Sequence, residues 1–292
     1  MTFSQPCKKR LGNYLCFFPP LNSVDIGDGQ TYSRLRLFEI HRKEKTMRVF
    51  IGFDDTDILG ADIGTGKVAR HYERLIPTSC KVWGVIRQQL LVDPAIPYTS
   101  HNSSACVVVD CNDPAFEEDL LKIAIEHLER MAVPGSDPGL CFVRADHPTI
   151  SELQNFGLKC TRQIVTQREA IQAASSIHLS GHGGTHDGII GAAAAVGLTA
   201  SGWCGRFIEF SGLRDFPDPV SVLSLMQKGI RVVSLDRDAC QPRHEDEVHT
   251  KGWLRPRLWG GQAVLPVNPS GPGRWESVGE KRNQDKQKKK EV

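Results

Sequence analysis

Residues 48–57 read RVFIGFDDTD, an apolar run that ends in three carboxylates within four positions. The apolar part predicts a buried strand, Arg48–Phe53, which the acidic cluster stops. Beyond it, strand patterns and helix patterns alternate along the chain. That alternation indicates an α/β or α+β fold, built outward from this strand in two subdomains.

The other predicted elements follow from periodicity and turn signals. Asp113 and Pro114 supply an N-cap and a first-turn proline for a helix over Ala115–Met131, where apolar residues recur at helical spacing. Further helices are predicted at Lys67–Leu75, Thr161–Ser175 and Ile189–Val196. Further strands are predicted at Val82–Leu91, Ala105–Asp110, Leu140–Arg144, Arg206–Phe210, Ile230–Leu235 and Gln262–Val267.

Turn-rich and charged stretches divide the chain into four predicted segments. Residues 1–46 lack periodicity, and Met47 directly precedes the first strand, so we interpret 1–46 as an extension or a misassigned start. The loop Pro134–Gly139 separates a first domain, 47–139, from a second, 140–268. The polar, lysine-rich residues 269–292 are interpreted as a disordered basic tail.

Composition points to a cytoplasmic globular protein. The chain has 292 residues, 40% hydrophobic and 24% charged, and a formal net charge of +2, so no global basic field indicates nucleic acid. No apolar run spans a bilayer, and Pro19-Pro20 interrupts the only patch that suggests a signal peptide. Nine cysteines without a C-x-x-C pair exclude a zinc ribbon and favour reduced thiols, as in a cytosol.

The acidic cluster is the first candidate site. In an extended segment, Asp55 and Asp57 point to the same side, and carboxylates this close repel each other unless a cation neutralises them. Magnesium binds through one or two carboxylates together with phosphates, so Asp54, Asp55 and Asp57 predict a Mg²⁺–nucleotide site. The alternative is a solvated turn in which an aspartate caps the next helix.

A glycine-rich loop follows the cluster. Gly64-Thr65-Gly66-Lys67 resembles a phosphate loop, but Ala61 and Val68 stand where that motif requires glycine and a hydroxyl. Its amides are candidates for cradling phosphate at a helix N-terminus, with Lys67 neutralising charge. A flexible turn with a surface lysine explains the same residues.

Four blocks resemble, in order, the archaeal tRNA-isoleucine agmatinylcytidine synthetase family. They are IGFDDTD at 51–57, IPYTSHN at 96–102, GIIGAAAAVG at 188–197 and RPRLWGG at 255–261. The resemblance covers residues 47–268, and its first and third blocks are the more specific.

This resemblance implies an N-terminal ATP-dependent kinase-like domain and then a ferredoxin-like domain. It implies use of ATP and agmatine on a tRNA wobble cytidine. Asp54, Asp55 and Asp57 become expected magnesium and phosphate ligands, and Thr65 lies near the position of an autophosphorylated threonine. Family members continue into an OB-fold and a zinc ribbon that hold the tRNA. This chain is expected to lack both, so tRNA remains a weakly supported partner.

A second candidate segment, residues 180–188, reads SGHGGTHDG before the alanine-rich helix. Consecutive amides around Gly183 and Gly184 predict an anion-binding nest, and His186 and Asp187 are candidate substrate-contacting groups. A tight turn that lets the helix pack closely is the alternative. His101 and Asn102 follow a predicted strand and are candidates for the same cleft.

Two functions remain open from the sequence. The first is an ATP- and Mg²⁺-dependent transferase or ligase with an unknown small-molecule or RNA acceptor. The second is a non-enzymatic nucleotide- or RNA-binding accessory protein. Turnover of ATP distinguishes them.

Overall fold

The computed structural model of the chain describes residues 46–99, 101–238 and 240–279. Residues 1–45 and 280–292, which hold the predicted extension and most of the predicted tail, lie outside the described residues. The described strands are β1 Met47–Asp54, β2 Cys80–Gln89, β3 Ser103–Cys111, β4 Gly139–Arg144, β5 His178–Gly181, β6 Arg206–Glu209, β7 Val220–Ser221, β8 Ile230–Ser234, β9 Glu247–His249, β10 Arg257–Trp259, β11 Gln262–Gly271 and β12 Arg274–Ser277.

Six α-helices accompany these strands in the described part of the chain. They are α1 Thr65–His71, extended by a 3₁₀ turn Tyr72–Arg74, α2 Phe116–Met131, α3 Ile150–Cys160, α4 Gln167–Ala173, α5 Gly188–Ala200 and α6 Val222–Gln227. None of these described helices combines the length and the hydrophobicity that a membrane crossing requires.

All twelve described strands belong to one mostly antiparallel sheet. Its order is β5-β4-β1-β3-β2-β6-β10-β11-β12-β9-β7, and β8 pairs in parallel with β11. The large sheet with helices on its faces confirms the α+β prediction.

β1 lies between β4 and β3, and its side chains are buried on both faces of the sheet. Val49, Ile51 and Phe53 pack into the core under α1 and α2, whereas Phe50 packs into the core on the α3 and α5 side. On either side, β1 pairs antiparallel with β3 and β4. This double burial explains why the strand reads as a continuous apolar run.

Residues 47–144 follow the connectivity β1-α1-β2-β3-α2-β4 with the strand order β4-β1-β3-β2. This split βαβ arrangement is the ferredoxin-like connectivity. It therefore lies in residues 47–144, and not in residues 140–268, where we expected it.

The sheet also continues across the predicted boundary at residue 139. β4 begins at Gly139 and pairs with β1, and β6 pairs with β2, so both predicted domains share one sheet. The strands β11 and β12 extend to Ser277, so the tail predicted from residue 269 is ordered structure over that stretch.

One predicted helix is wrong. Thr161–Ser175 contains a break at residues 161–166, between α3 and α4. Thr166 ends the break, because its side chain and that of Glu169 form a reciprocal capping box that starts α4. The helical pattern of the sequence missed this cap and the whole of α3.

Helix α5 lies unusually close to the sheet. A Cβ on Gly52 would stand 2.1 Å from the carbonyl oxygen of Ala192, and one on Gly139 would stand 2.1 Å from the backbone of Gly188. Glycine in the strands and small residues in α5 therefore permit backbone-to-backbone packing. This close packing places the first turn of α5 over the end of β1.

Two of the cysteines are paired. Cys80 of β2 lies directly opposite Cys111 of β3, with Cα atoms 4.2 Å apart, and the two form a disulfide. The expectation of reduced thiols is wrong at these two positions, because strand register, which the sequence spacing does not reveal, brings them together. The free cysteines among the described residues are Cys106, Cys141, Cys160, Cys204 and Cys240.

Candidate functional site

The end of β1 opens into a cavity of about 770 Å³. Five aspartates line it, and none of the described lining residues is a lysine or an arginine. The aspartates are Asp54, Asp55, Asp57, Asp137 and Asp187. Apolar residues from the loop after β2 and the segment after α3, including Leu90, Ile96 and Ile164, form the remaining wall. The cavity wall thus combines acidic and apolar residues.

Asp54 is the last residue of β1 and lies against the first turn of α5. A Cβ on Gly191 would stand 1.7 Å from Asp54 Oδ2, so only glycine leaves room for this carboxyl group. Burial, and then the charge of Asp55, raises the pKa of Asp54 to about 8. At neutral pH the buried side chain of Asp54 therefore keeps its proton in the folded protein.

Asp55 turns the chain out of the strand. Its φ is 48°, in the left-handed region that glycine and, less often, aspartate and asparagine adopt. Its carbonyl oxygen accepts a hydrogen bond from Asp137 N at 3.1 Å, which holds this turn. Burial, then the charges of Asp137, Asp57 and Asp187, raises the pKa of Asp55 to about 6.

Two threonines hold the turn of the acidic cluster in place by hydrogen bonds. Thr56 is fully buried, and its backbone N–H donates to Thr65 Oγ1 at 3.3 Å, while the two hydroxyl oxygens lie 3.2 Å apart. The carbonyl oxygen of Thr56 accepts from Val133 N at 3.0 Å. Thr65 lines the cavity but is 7% exposed, so its hydroxyl supports the aspartate turn.

The loop before α5 forms an amide nest at residues 185–187, rather than at the predicted Gly183 and Gly184, and Asp137 fills it. The Asp137 carboxylate accepts from Thr185 N at 3.0 Å, His186 N at 2.6 Å and Asp187 N at 3.2 Å, and also from the Thr185 hydroxyl. Burial raises the pKa of Asp137, but these hydrogen bonds outweigh that effect and hold it below the usual value. The anion in the nest is therefore part of the protein.

The structure brings part of the predicted site together. The predicted residues that line the cavity are Asp54, Asp55, Asp57, Thr65, His101, Asn102 and Asp187. The predicted residues that do not line it are Gly64, Gly66, Lys67, Gly183, Gly184 and His186.

Two of the predicted residues that do not line the cavity have other contacts in the structure. Lys67 is exposed, and its ammonium group donates to the carbonyl oxygen of Asp62. His186 adopts a φ of 69°, and its ring covers Gly181. For Lys67 the surface-lysine alternative holds, and the described cavity wall has no phosphate-loop lysine.

Asn102 lines the cavity and also forms hydrogen bonds with the backbone of the loop after β2. Its side-chain Nδ2 donates to Leu91 O at 2.6 Å, and its own carbonyl oxygen accepts from Leu90 N at 2.9 Å. It therefore closes the loop between β2 and β3 that forms one cavity wall.

Sequence reasoning missed Asp137 and Gly191. Asp137 lies in the turn-rich loop 134–139, which we interpreted as a boundary. A carboxylate in such a loop, together with a glycine-rich segment that offers free amides, was the available signal. Gly191 stood inside a helix pattern, where a glycine indicates close approach of another group.

The donor set suits a hard divalent cation whose coordination shell is only partly supplied by protein. Among the described residues, no group of three histidine, cysteine, aspartate or glutamate side chains is arranged to hold a metal by itself. Magnesium usually keeps several waters or phosphate oxygens and takes only one or two carboxylates. Asp55 and Asp57 line the cavity and follow Asp54, the last residue of β1, so these two carboxylates are available for such a cation.

Comparisons with known proteins give matches to solved structures alone. No protein-family model matches the sequence, and no curated protein matches it significantly. The chain is similar to a tRNA fluorescent labeling enzyme, with 30% identity and a TM-score of 0.44. It is also similar to TiaS, a tRNA agmatidine synthetase, in a complex with tRNA, AMPCPP and agmatine (28% identity, TM-score 0.43) and in a complex with tRNA and ATP (27%, 0.44). Each match covers 52% of this chain and 36% of the neighbour.

Proposed function

We propose that the acidic cavity binds a magnesium–nucleotide complex and that the protein is an ATP- and Mg²⁺-dependent transferase or ligase. One observation carries this proposal: five aspartates converge on a single cavity whose described lining contains no lysine or arginine. Such a wall repels a free triphosphate and accepts one only when a divalent cation accompanies it.

The roles follow from position. Asp55 and Asp57 would hold the cation, which neutralises phosphate charge during group transfer. Asp54 lies behind them at the end of β1, and Thr65 fixes the turn that presents them. The apolar wall around Ile96 and Ile164 offers a surface for a nucleobase.

The acidic wall of the cavity also favours a cationic acceptor. Asp137 and Asp187 lie there, and Gln167 Nε2 orients Asp187 by donating to its Oδ1 at 2.6 Å. An amine or a guanidinium group would be stabilised beside these charges. Agmatine carries both groups and is the acceptor that the sequence resemblance implies, so it is the first acceptor to test, and tRNA is the second.

Binding and turnover of ATP test the proposal. We expect calorimetry to show binding of Mg²⁺–ATP and no measurable binding of ATP in chelator. Asp55→Asn should weaken Mg²⁺–ATP binding at least about tenfold, since one cation ligand is lost. Asp62→Asn is the matched control, because Asp62 does not line the cavity. Full ATP turnover by Asp55→Asn would refute the assignment.

A second candidate is a nucleotide- or RNA-binding accessory protein without catalysis. It is favoured by the position of Lys67, which leaves the described cavity wall without a cationic side chain to stabilise transferred phosphate. Tight Mg²⁺–ATP binding with no product formed from labelled ATP, with or without agmatine and tRNA, would establish this candidate instead.

A further inference from the structure

A second group of chemically active side chains lies on β5, the edge strand of the sheet. His178, Ser180 and His182 alternate along this segment and therefore project from the same face. Leu179, between them, packs into the core on the opposite, α5 side. Glu129, in the last turn of α2, contacts His182 from the facing helix.

These four residues form one continuous series of hydrogen bonds. His178 Nε2 lies 2.8 Å from Ser180 Oγ, and Ser180 Oγ lies 2.8 Å from His182 Nε2. His182 Nδ1 lies 3.0 Å from Glu129 Oε1. None of the four lines the aspartate cavity.

The hydrogen-bond pattern determines where the protons lie. A carboxylate only accepts, so His182 Nδ1 carries a proton and donates it to Glu129. His182 Nε2 is then free to accept from the Ser180 hydroxyl, and His178 Nε2 must donate to Ser180 Oγ. Burial, and then His182, lowers the pKa of His178, which keeps it a neutral donor.

One end of this hydrogen-bonded series borders a second cavity. His178 lines a separate cavity of about 590 Å³, whose wall includes apolar Leu121, Phe142 and Ile177. The side chain of His182 is 10% exposed, so it is largely shielded from water. Ser180 is partly exposed and one hydrogen bond away from the cavity.

The strand pairing also supplies a backbone donor. His182 N donates to Pro138 O at 2.8 Å, and antiparallel pairing alternates, so Gly181 N–H points away from β4. The amide after a nucleophilic serine is a common donor to the oxyanion in acyl transfer.

We propose that Ser180 is the nucleophile of an esterase-type site for small carboxylic esters. His182 is the general base, and Glu129 positions its ring. Ser180 Oγ bonds to the acyl carbon while its proton passes to His182 Nε2, and the alkoxide leaves with that proton as an alcohol. A water oxygen then bonds to the acyl carbon as its proton passes to His182 Nε2; the bond between that carbon and Ser180 Oγ breaks, the acid leaves, and His182 returns the proton to Ser180 Oγ.

A fluorophosphonate probe tests this site in the full chain. In that reaction the Ser180 oxygen–phosphorus bond forms, fluoride leaves and the proton passes to His182. We expect one adduct, which peptide mass spectrometry maps to Ser180, and slow hydrolysis of p-nitrophenyl acetate. Ser180→Ala should lose both, whereas Ser151→Ala, which changes an exposed serine elsewhere, should retain them.

Glu129→Gln provides an independent variant that is expected to fold, because the Glu129 side chain is 59% exposed. It should label at least about tenfold more slowly. The conservative variant Glu129→Asp, which keeps a carboxylate, should recover part of the lost rate. Glu126→Gln on the same helix should match the unmodified protein. Absence of an adduct on Ser180, or equal rates for Glu129→Gln and Glu126→Gln, would overturn the proposal.

Discussion

Replacing Asp54 with asparagine should remove a pH dependence of folding that this one carboxyl group imposes. The side chain lies at the end of β1 against Gly191, in a space that asparagine fills equally well. Burial and the charge of Asp55 raise its pKa from 3.8 to about 8 in the folded protein. The folded pKa thus exceeds the unfolded one. The contribution of Asp54 to stability is fully present below pH 3.8 and is lost as the pH rises towards 8.

The magnitude follows from the proton that only the folded state retains. Between these two pKa values, each pH unit lowers the free energy of unfolding by about 1.4 kcal/mol. From about pH 5 to pH 7 the loss is therefore about 2–3 kcal/mol. For a described unit of this size, that corresponds to a fall in melting temperature of about 5–10 °C. The Asp54→Asn variant has no proton to lose at this position.

Urea unfolding at several pH values measures this effect directly, in chelator so that no cation contributes. The difference between the unmodified protein and Asp54→Asn cancels the titration of other groups. We expect that difference to grow in favour of the variant as the pH rises, whereas Asp62→Asn should show no such trend. Parallel stability curves for the unmodified protein and Asp54→Asn would refute the reasoning.

Three further predictions concern the sheet and the cavity at the end of β1. Gly52→Ala should destabilise the fold by about 3 kcal/mol or more, because its Cβ would meet a backbone carbonyl of α5. Gly66→Ala is the control, because its Cβ would meet only the end of a flexible side chain. Equal urea midpoints for these two variants would contradict this prediction. Asp137→Asn should cost about 1.5–3 kcal/mol and speed amide exchange at residues 185–187, since the nest loses its charged acceptor; unchanged exchange would count against it. Converting both Cys80 and Cys111 to serine should cost about 4 kcal/mol, from the 31-residue separation that the disulfide closes, and dithiothreitol should reproduce that loss in the unmodified protein.

The parts of the fold that depend on local pattern were predictable. β1 was recognised because burial on both faces makes its sequence continuously apolar, and α2 was recognised because its apolar residues keep helical spacing. The acidic cluster was recognised because three neighbouring carboxylates directly follow a predicted buried strand. In each case the decisive interactions lie within one segment of the chain.

The parts that depend on distant segments were not predictable. The pairing of β6 with β2 and the contact between Cys80 and Cys111 arise from strand register. Residues 180–188 predict an anion-binding nest, but nothing in that segment indicates that Asp137, about fifty positions earlier, supplies the carboxylate that its amides contact. A local pattern shows what a segment can bind, and the tertiary fold decides what it does bind.

The carboxylates that affect the stability of the cavity are the same ones that we propose as its cation ligands. Asp54 and Asp55 are held where burial and neighbouring charges oppose their ionisation, and Asp55 also adopts a left-handed backbone conformation. Asp137, in contrast, is stabilised as an anion by three amides, so its charge remains in place and acts on Asp55. The protein therefore uses hydrogen bonds to keep one carboxylate charged beside two that resist charging. Under the proposed function, a bound cation would relieve that opposition, and its binding would release protons from Asp54 and Asp55. The close approach of α5, which glycine permits, maintains this arrangement by excluding water from the end of β1.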